Sequence, residues 1–186
     1  MNERQLLLRD AWDRAEPFGV FLDVAMKHRE LWHAITRRAV VPAELSPRLR
    51  ALRGRYRFLV LLEDWCGDAV NTVPYMQALA AGLPGSELRV LERDLNPEIM
   101  DLYLSPKGAR AIPVCVILDE QFRDPCWWGS RPTELQTWVM SPAAQAMDKD
   151  ERYKRIRAWY ARDRGRTTLD EIVTYLERIE QKAKVA

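Results

Sequence analysis

The sequence predicts an α/β fold, in which a small mixed β-sheet carries helices on both faces and a helical extension lies at each end. Three observations predict it. Residues 56–140 alternate short apolar runs with segments of helical periodicity, in the order strand, helix, strand, helix, strand, strand, helix. The first three of these elements form a βαβ unit, which requires two parallel strands. The segments before and after this region show helical patterns only.

The composition is that of an ordinary globular protein. Of 186 residues, 47% are apolar and 30% are charged, and 29 basic residues nearly balance 27 acidic ones. This small net charge predicts neither a nucleic-acid nor a membrane partner. The sequence has no signal-peptide pattern and too few cysteines for a disulfide framework, so we expect a cytoplasmic protein. His28 and His33 lie five residues apart, on different helix faces, and we predict neither a metal nor a cofactor.

The N-terminal extension, residues 1–54, is expected to be helical. Apolar residues recur every three to five positions across 3–39, with charges between them. Pro17 and Gly19 are expected to divide this stretch into two helices. A shorter helix is predicted over 47–53, ending at Gly54.

The central domain is assigned to residues 55–140, with four strands. Continuous apolar character predicts a buried strand at 56–62, and a helix follows at 70–81. The other strands are expected at 87–92, 112–120 and around 126–128, with helices at 98–104 and 133–140.

The C-terminal extension, residues 141–186, is expected to contain helices only. Gly165 separates two helical segments within it. The sequence Thr168-Leu-Asp-Glu171 has the spacing of a capping box and is expected to begin the last helix.

The strongest chemical signal is Trp65-Cys66-Gly67-Asp68, at the junction between the first buried strand and the next helix. A thiol at a helix N-terminus faces unpaired N–H groups and the positive end of the helix dipole, which favour the nucleophilic thiolate. The carboxylate of Asp68 in the same turn opposes it. The two effects are of comparable size, so the sequence leaves the direction of the Cys66 pKa open.

Four features in this frame resemble the thioredoxin-like superfamily. Trp65-Cys66-Gly67 is similar to its active-site opening, and Pro74 lies eight residues after the cysteine. Ile112-Pro113 opens a strand 47 residues after the cysteine, and Gly129 follows sixteen residues later. The resemblance covers about residues 55–140, and the W-C-G-D opening is similar to a bacterial group within the superfamily.

The resemblance implies a thioredoxin-like fold and a reactive site at Cys66. Trp65 and Gly67 would shape the turn, Asp68 would tune the charge, and a cis peptide at Ile112-Pro113 would lie beside the sulfur. The backbone of Ile112 would then offer an edge to an extended peptide or to glutathione.

One departure from the superfamily concerns the second sulfur. Ala69 stands where the resolving cysteine would be, and Val60 stands where a buried acid would assist it. The resemblance therefore implies a monothiol that exchanges with disulfides through a mixed disulfide, in cell redox homeostasis. Its partners would be protein thiols or disulfides, or a glutathione-like low-molecular-weight thiol.

Two hypotheses about the function of the protein stay open. The alternative to a redox enzyme is a non-catalytic scaffold in which the helical extensions bind another protein. Cys115 and Cys126 are expected to serve packing, and resolution of a mixed disulfide by Cys115 is the less favoured role.

We expect the charged residues near the site to lie at the protein surface. Glu63 and Asp64 are expected to be solvated loop acids. Arg110 and Arg131 are expected at the surface, with binding of a carboxylate as the alternative.

Overall fold

The computed structural model describes residues 1–185, in which fifteen helices and strands follow one another, apart from short 3-10 turns. In chain order they are α1 (Glu3–Arg14), β1 (Glu16–Pro17), α2 (Phe18–Val24), α3 (Arg29–Arg38), α4 (Ser46–Ala51), β2 (Arg57–Leu62), α5 (Gly67–Ala81), β3 (Glu87–Glu92), α6 (Pro97–Met100), β4 (Val114–Leu118), β5 (Cys126–Gly129), α7 (Thr133–Val139), α8 (Pro142–Gln145), α9 (Lys149–Asp163) and α10 (Arg166–Val185).

The sheet is mixed, as predicted, but it has five strands in the order β1-β3-β2-β4-β5. Strands β2 and β3 are parallel, whereas β4 and β5 pair antiparallel. The predicted number of four strands is wrong, because the sheet also contains the short strand β1. In β1, Glu16 and Pro17 pair with Val90 and Arg89 of β3. A residue that precedes proline favours extended backbone, which ends α1 and lets Glu16 join the sheet edge.

The region 3–39 forms three helices rather than the predicted two. The extra break lies between α2 and α3, where His28 has a φ of +53°. The backbone N–H groups of Met26 and Lys27 donate to the carboxylate of Asp64, at 2.9 and 2.8 Å. Because these N–H groups bond to Asp64, they do not take part in helical hydrogen bonds, and the helix is interrupted here. The same bonds connect the N-terminal extension to the loop after β2.

Both extensions contribute to the main hydrophobic core. Strands β2 and β4 lie at the centre of the sheet and are almost wholly buried. The same core includes fully or almost fully buried side chains of α1, α3 and α10, among them Leu8, Trp32, Ile35, Leu169, Ile172 and Leu176. The extensions are therefore packed as parts of the fold. In residues 1–185, none of the helices has the length and apolar character that crossing a membrane requires.

The capping box predicted at Thr168 is wrong. Helix α10 begins at Arg166, and the Thr168 side chain is completely buried with no hydrogen-bond partner for its hydroxyl within the described chain. Glu171 instead accepts hydrogen bonds from Nε1 of Trp128 at 2.6 Å and from the N–H of Thr133 at 2.8 Å. The side chains of Thr168 and Glu171, which the local pattern predicts to cap the helix, are therefore buried or bonded to other parts of the fold instead.

Candidate active site

Cys66 occupies the N-cap position of α5. Its sulfur accepts a hydrogen bond from the N–H of Ala69 at 3.4 Å and donates its own S–H to the carbonyl oxygen of Ile112 at 3.5 Å. The Ile112–Pro113 peptide bond is cis. The strand-to-helix turn after β2 and the loop before β4 thus bring the sulfur and the backbone of Ile112 into direct contact.

Cys66 is one of the residues that line a cavity of about 490 Å³. Only 6% of Cys66 is exposed. The lining comes from the sheet domain, from the α3 region and from α9: His28, Leu31, Trp65, Cys66, Gly67, Asp68, Val70, Asn71, Arg93, Arg110, Ala111, Ile112, Ser130, Arg131, Tyr153, Ile156, Arg157 and Tyr160.

Burial decides the direction of the Cys66 pKa, which the sequence left open. Desolvation of the thiolate is the largest effect, and the nearby charge of Asp68 adds to it. The N–H of Ala69 and the charge of Arg131 act in the opposite direction but are smaller. Together they raise the pKa of the Cys66 thiol to about 11, so the resting group at neutral pH is the thiol.

Asp68 is the centre of a buried polar cluster beside the sulfur. Its carboxylate accepts from Nη2 of Arg131 at 2.6 Å and from the hydroxyl of Tyr160 at 2.9 Å. The expectation that Arg131 is a surface residue is wrong, because Arg131 is partly buried and paired. Burial raises the pKa of Asp68, and Arg131 offsets part of this rise.

The structure identifies Tyr160 of α9 as a site residue that the sequence analysis missed. Ile156 and Tyr160 are four residues apart and both buried, a spacing that indicates an inward helix face. That pattern carries no information about which element the face contacts. The hydroxyl of Tyr160 is recognisable as part of the site only once α9 is seen against α5.

Glu63 and Asp64 hold the loop before the cysteine in place. Glu63 is buried, contrary to expectation, and accepts from the N–H of Asp94 at 2.8 Å; burial raises its pKa. Asp64 is partly buried, and its backbone oxygen accepts from Nε1 of Trp32 at 2.9 Å. These acids therefore position the loop through backbone groups, rather than standing free in solvent.

Trp65 and Gly67 flank the sulfur at the mouth of the site. Trp65 is 47% exposed, and the guanidinium carbon of Arg93 lies 5.2 Å from the centre of its ring. A Cβ at Gly67 would meet no atom within 4 Å, so packing does not require glycine there. At Gly129, by contrast, a Cβ would lie 2.5 Å from the carbonyl oxygen of Pro113.

The other two cysteines lie outside the cavity. Cys115 is completely buried in β4, opposite Val60 and Trp128, which confirms its packing role. Cys126 is partly buried and borders a separate cavity of about 260 Å³. All three cysteines are free thiols. Within residues 1–185, no group of three or more His, Cys, Asp or Glu side chains is placed to bind a metal ion.

Sequence comparison assigns the family. A family model described as "Thioredoxin" matches residues 16–152, which include the whole sheet, the cysteine turn and the first residues of α9. The chain therefore belongs to this thioredoxin family. No curated protein matches the chain.

Solved structures support the same fold. A crystal structure of an HIV epitope-scaffold has a TM-score of 0.70 at 20% identity, over 91% of this chain and 96% of that chain. A crystal structure of PA1234, a protein of unknown function from Pseudomonas aeruginosa, has a TM-score of 0.69 at 21% identity, with the same coverage. Both span nearly the whole chain, so the similarity includes most of the helical extensions.

Proposed function

We propose that this protein is a monothiol thiol–disulfide exchange enzyme whose nucleophile is Cys66. The observation that carries the proposal is the position of the sulfur. It caps α5, contacts the carbonyl of Ile112 beside a cis-proline, and lines a cavity. Trp65, Gly67, Asp68 and Pro113 surround it as site-shaping residues.

The reaction needs two exchanges because Ala69 supplies no second thiol. In the first, the Cys66 thiolate attacks a disulfide R–S–S–R′, forms the Cys66–S–S–R bond and releases R′–S⁻, which takes up a proton. In the second, a thiolate R–S⁻ attacks the sulfur of the bound R group, forms R–S–S–R and frees Cys66. The net reaction is R–S–S–R′ + R–SH → R–S–S–R + R′–SH, in which the R′ sulfur is reduced and one R thiol is oxidised.

The raised pKa slows this chemistry without abolishing it. With a pKa of about 11, roughly one molecule in ten thousand carries the thiolate at pH 7. A more basic thiolate is also a better nucleophile, and the two effects together leave Cys66 about 25-fold slower than a free thiol of pKa ~8.5. A bound substrate that stabilises the thiolate would recover this loss.

The test is formation and turnover of a mixed disulfide. Purified protein is incubated with bis(2-hydroxyethyl) disulfide, followed by intact mass, and then supplied with glutathione to follow loss of the adduct and formation of the mixed disulfide of glutathione and mercaptoethanol. We expect one adduct per chain that is lost in Cys66→Ser and kept in Cys126→Ser, the matched control. Equal adducts in wild type and Cys66→Ser would overturn the proposal.

A non-catalytic scaffold is the second candidate, and one observation favours it. Cys66 is 6% exposed and its thiol pKa is about 11, which are properties of an unreactive packing cysteine. If the native protein gives no adduct while the urea-unfolded protein does, the thiol is protected by the fold. That result would support the scaffold.

A further inference from the structure

We propose that the cavity at Cys66 binds a small anionic thiol or its disulfide, and that Arg157 of α9 is the residue that selects the negative charge. This inference rests on the proposed function and specifies its substrate class. A carboxylate on the carbon chain of the thiol is the ligand group that the lining fits.

The first argument is the shape of the approach to the sulfur. Cys66 lines a cavity of about 490 Å³, within the range of roughly 300–1,000 Å³ that is typical of small-molecule sites. Its lining includes Leu31 of the N-terminal extension and Tyr153 and Ile156 of the C-terminal extension. The two helical extensions therefore form part of the wall of a pocket. An extended protein segment would instead need an open surface beside the sulfur.

The second argument is charge. The lining holds four guanidinium groups and a single carboxylate, that of Asp68. Three of the four already have partners: Arg93 pairs with Asp94, Arg110 with Asp101, and Arg131 with Asp68. These three charges are therefore balanced locally, and the remaining guanidinium, that of Arg157, gives the lining a positive charge that favours an anion.

Two groups in the lining have donors to offer. Arg157 is exposed and forms no salt bridge with any of the described residues, so its whole guanidinium fork is available. Nε of Arg131 is buried and has no hydrogen-bond partner in the described chain. Guanidinium groups bind carboxylates through two parallel hydrogen bonds, a geometry that lysine cannot provide.

The exchange step then has defined participants. The Cys66 thiolate attacks a disulfide R–S–S–R′ between a carboxylate-bearing thiol R–SH and a second thiol R′–SH, keeps the R half as a mixed disulfide in the cavity and releases R′–S⁻, which takes up a proton. A molecule of R–SH then attacks the retained R sulfur as its thiolate, forms R–S–S–R and restores Cys66. The reductant is thus the small anionic thiol R–SH, and the R′ thiol is the reduced product.

The experiment compares three disulfides of similar size that differ in charge: 3,3′-dithiodipropionate (anionic), bis(2-hydroxyethyl) disulfide (neutral) and cystamine (cationic). The rate of adduct formation at Cys66 with each disulfide is divided by its rate with the urea-unfolded chain. This ratio removes the differences in intrinsic reactivity among the three disulfides. We expect the anionic probe to be favoured over the cationic one by about tenfold or more, and the preference to shrink as salt is raised.

Arg157→Gln tests the assigned residue, and Arg155→Gln is its matched control. Arg155 lies on the same helix, carries the same charge and pairs with Glu151, and it does not line the cavity. We expect Arg157→Gln to lose most of the anionic preference and Arg155→Gln to keep it. Equal ratios for the three probes, or equal loss in both variants, would overturn the inference while exchange at Cys66 stands.

A binding measurement separates the two proposals. Cys66→Ser removes exchange at the cavity, and 3,3′-thiodipropionate, a thioether of the same charge that is one sulfur shorter, cannot react. We expect it to raise the Tm of this variant, with a smaller rise when Arg157 is also replaced, and bis(2-aminoethyl) sulfide to leave the Tm unchanged. Binding without any reaction in the native protein would refute the exchange enzyme and keep the anion pocket; no anion binding would refute the pocket.

Discussion

The hydroxyl of Tyr160 donates a hydrogen bond of 2.9 Å to the carboxylate of Asp68, which joins helix α9 of the C-terminal extension to the first turn of α5. The second carboxylate oxygen is held by Arg131 at 2.6 Å. Because Cys66 caps the same turn, the cluster places a helix of the extension and two opposite charges next to the sulfur. Both the stability of this region and the ionisation of the thiol should therefore depend on it.

Replacing Tyr160 with phenylalanine should destabilise the protein. The ring and its packing are kept, but a buried hydrogen bond to a charged acceptor is lost, which typically costs about 1.5–3 kcal/mol. Urea unfolding measures the loss. Tyr153→Phe is the matched control, since Tyr153 lies on the same helix and is 45% exposed. Similar effects of the two substitutions would contradict a specific role for the Tyr160 hydroxyl.

Replacing Asp68 with asparagine should lower the pKa of Cys66. The carboxylate raises this pKa, and its loss also leaves the charge of Arg131 free to stabilise the thiolate. We expect alkylation of Cys66 at pH 7.5 to become about tenfold faster. Stability should fall by roughly 3 kcal/mol or more, because Arg131 is left without its partner. Unchanged alkylation in a variant that remains folded would refute this electrostatic link.

The alkylation of Cys66 in the native protein should depend steeply on pH. Its rate should rise about tenfold per pH unit through pH 9–10, with a midpoint near 11, whereas the unfolded chain should titrate near ~8.5. Rates with iodoacetamide, followed by mass at Cys66, give both curves. A native midpoint at or below that of the unfolded chain would contradict the dominance of burial.

The same shift predicts how stability changes with pH. Between about 8.5 and 11 the unfolded thiol has lost its proton while the folded one keeps it, so the folded state binds more protons and stability falls as pH rises. The slope due to this group is at most about 1.4 kcal/mol per pH unit. The difference in unfolding free energy between wild type and Cys66→Ser should fall over this range and be constant below it.

Gly129→Ala should disturb the proline loop, whereas Gly67→Ala should not. A Cβ at Gly129 would lie 2.5 Å from the carbonyl oxygen of Pro113, so one of the two backbones must move, at a cost of about 1–3 kcal/mol. At Gly67 the added carbon has free space. Thermal unfolding of the two variants compares them, and equal Tm values would refute the close approach as a constraint.

Much of the fold could be predicted because its signals are local. Apart from Arg57, the run at 56–62 is apolar because β2 is buried on both faces, and β3 occupies the predicted residues 87–92. The position of Cys66 before a helix follows from the same pattern. Even the break at Pro17 was correctly located, although the two extended residues there join the sheet.

The errors concern residues whose role depends on distant partners. Arg131 and Glu63 are polar and sit in loops, so a sequence predicts them at the surface. Arg131 is partly buried against Asp68, and Glu63 is buried against the N–H of Asp94, 31 residues away. Tyr160 contacts Asp68 across 92 residues, a separation over which no periodicity carries information.

By itself, then, the sequence determined the order of strands and helices and the placement of one thiol at a helix start, because both follow from neighbouring residues. Only the tertiary structure decided the state of that thiol. Its burial, the charge cluster of Asp68 and the walls added by α9 arise from segments that meet in space, and desolvation there outweighs the helix terminus in setting the pKa of Cys66.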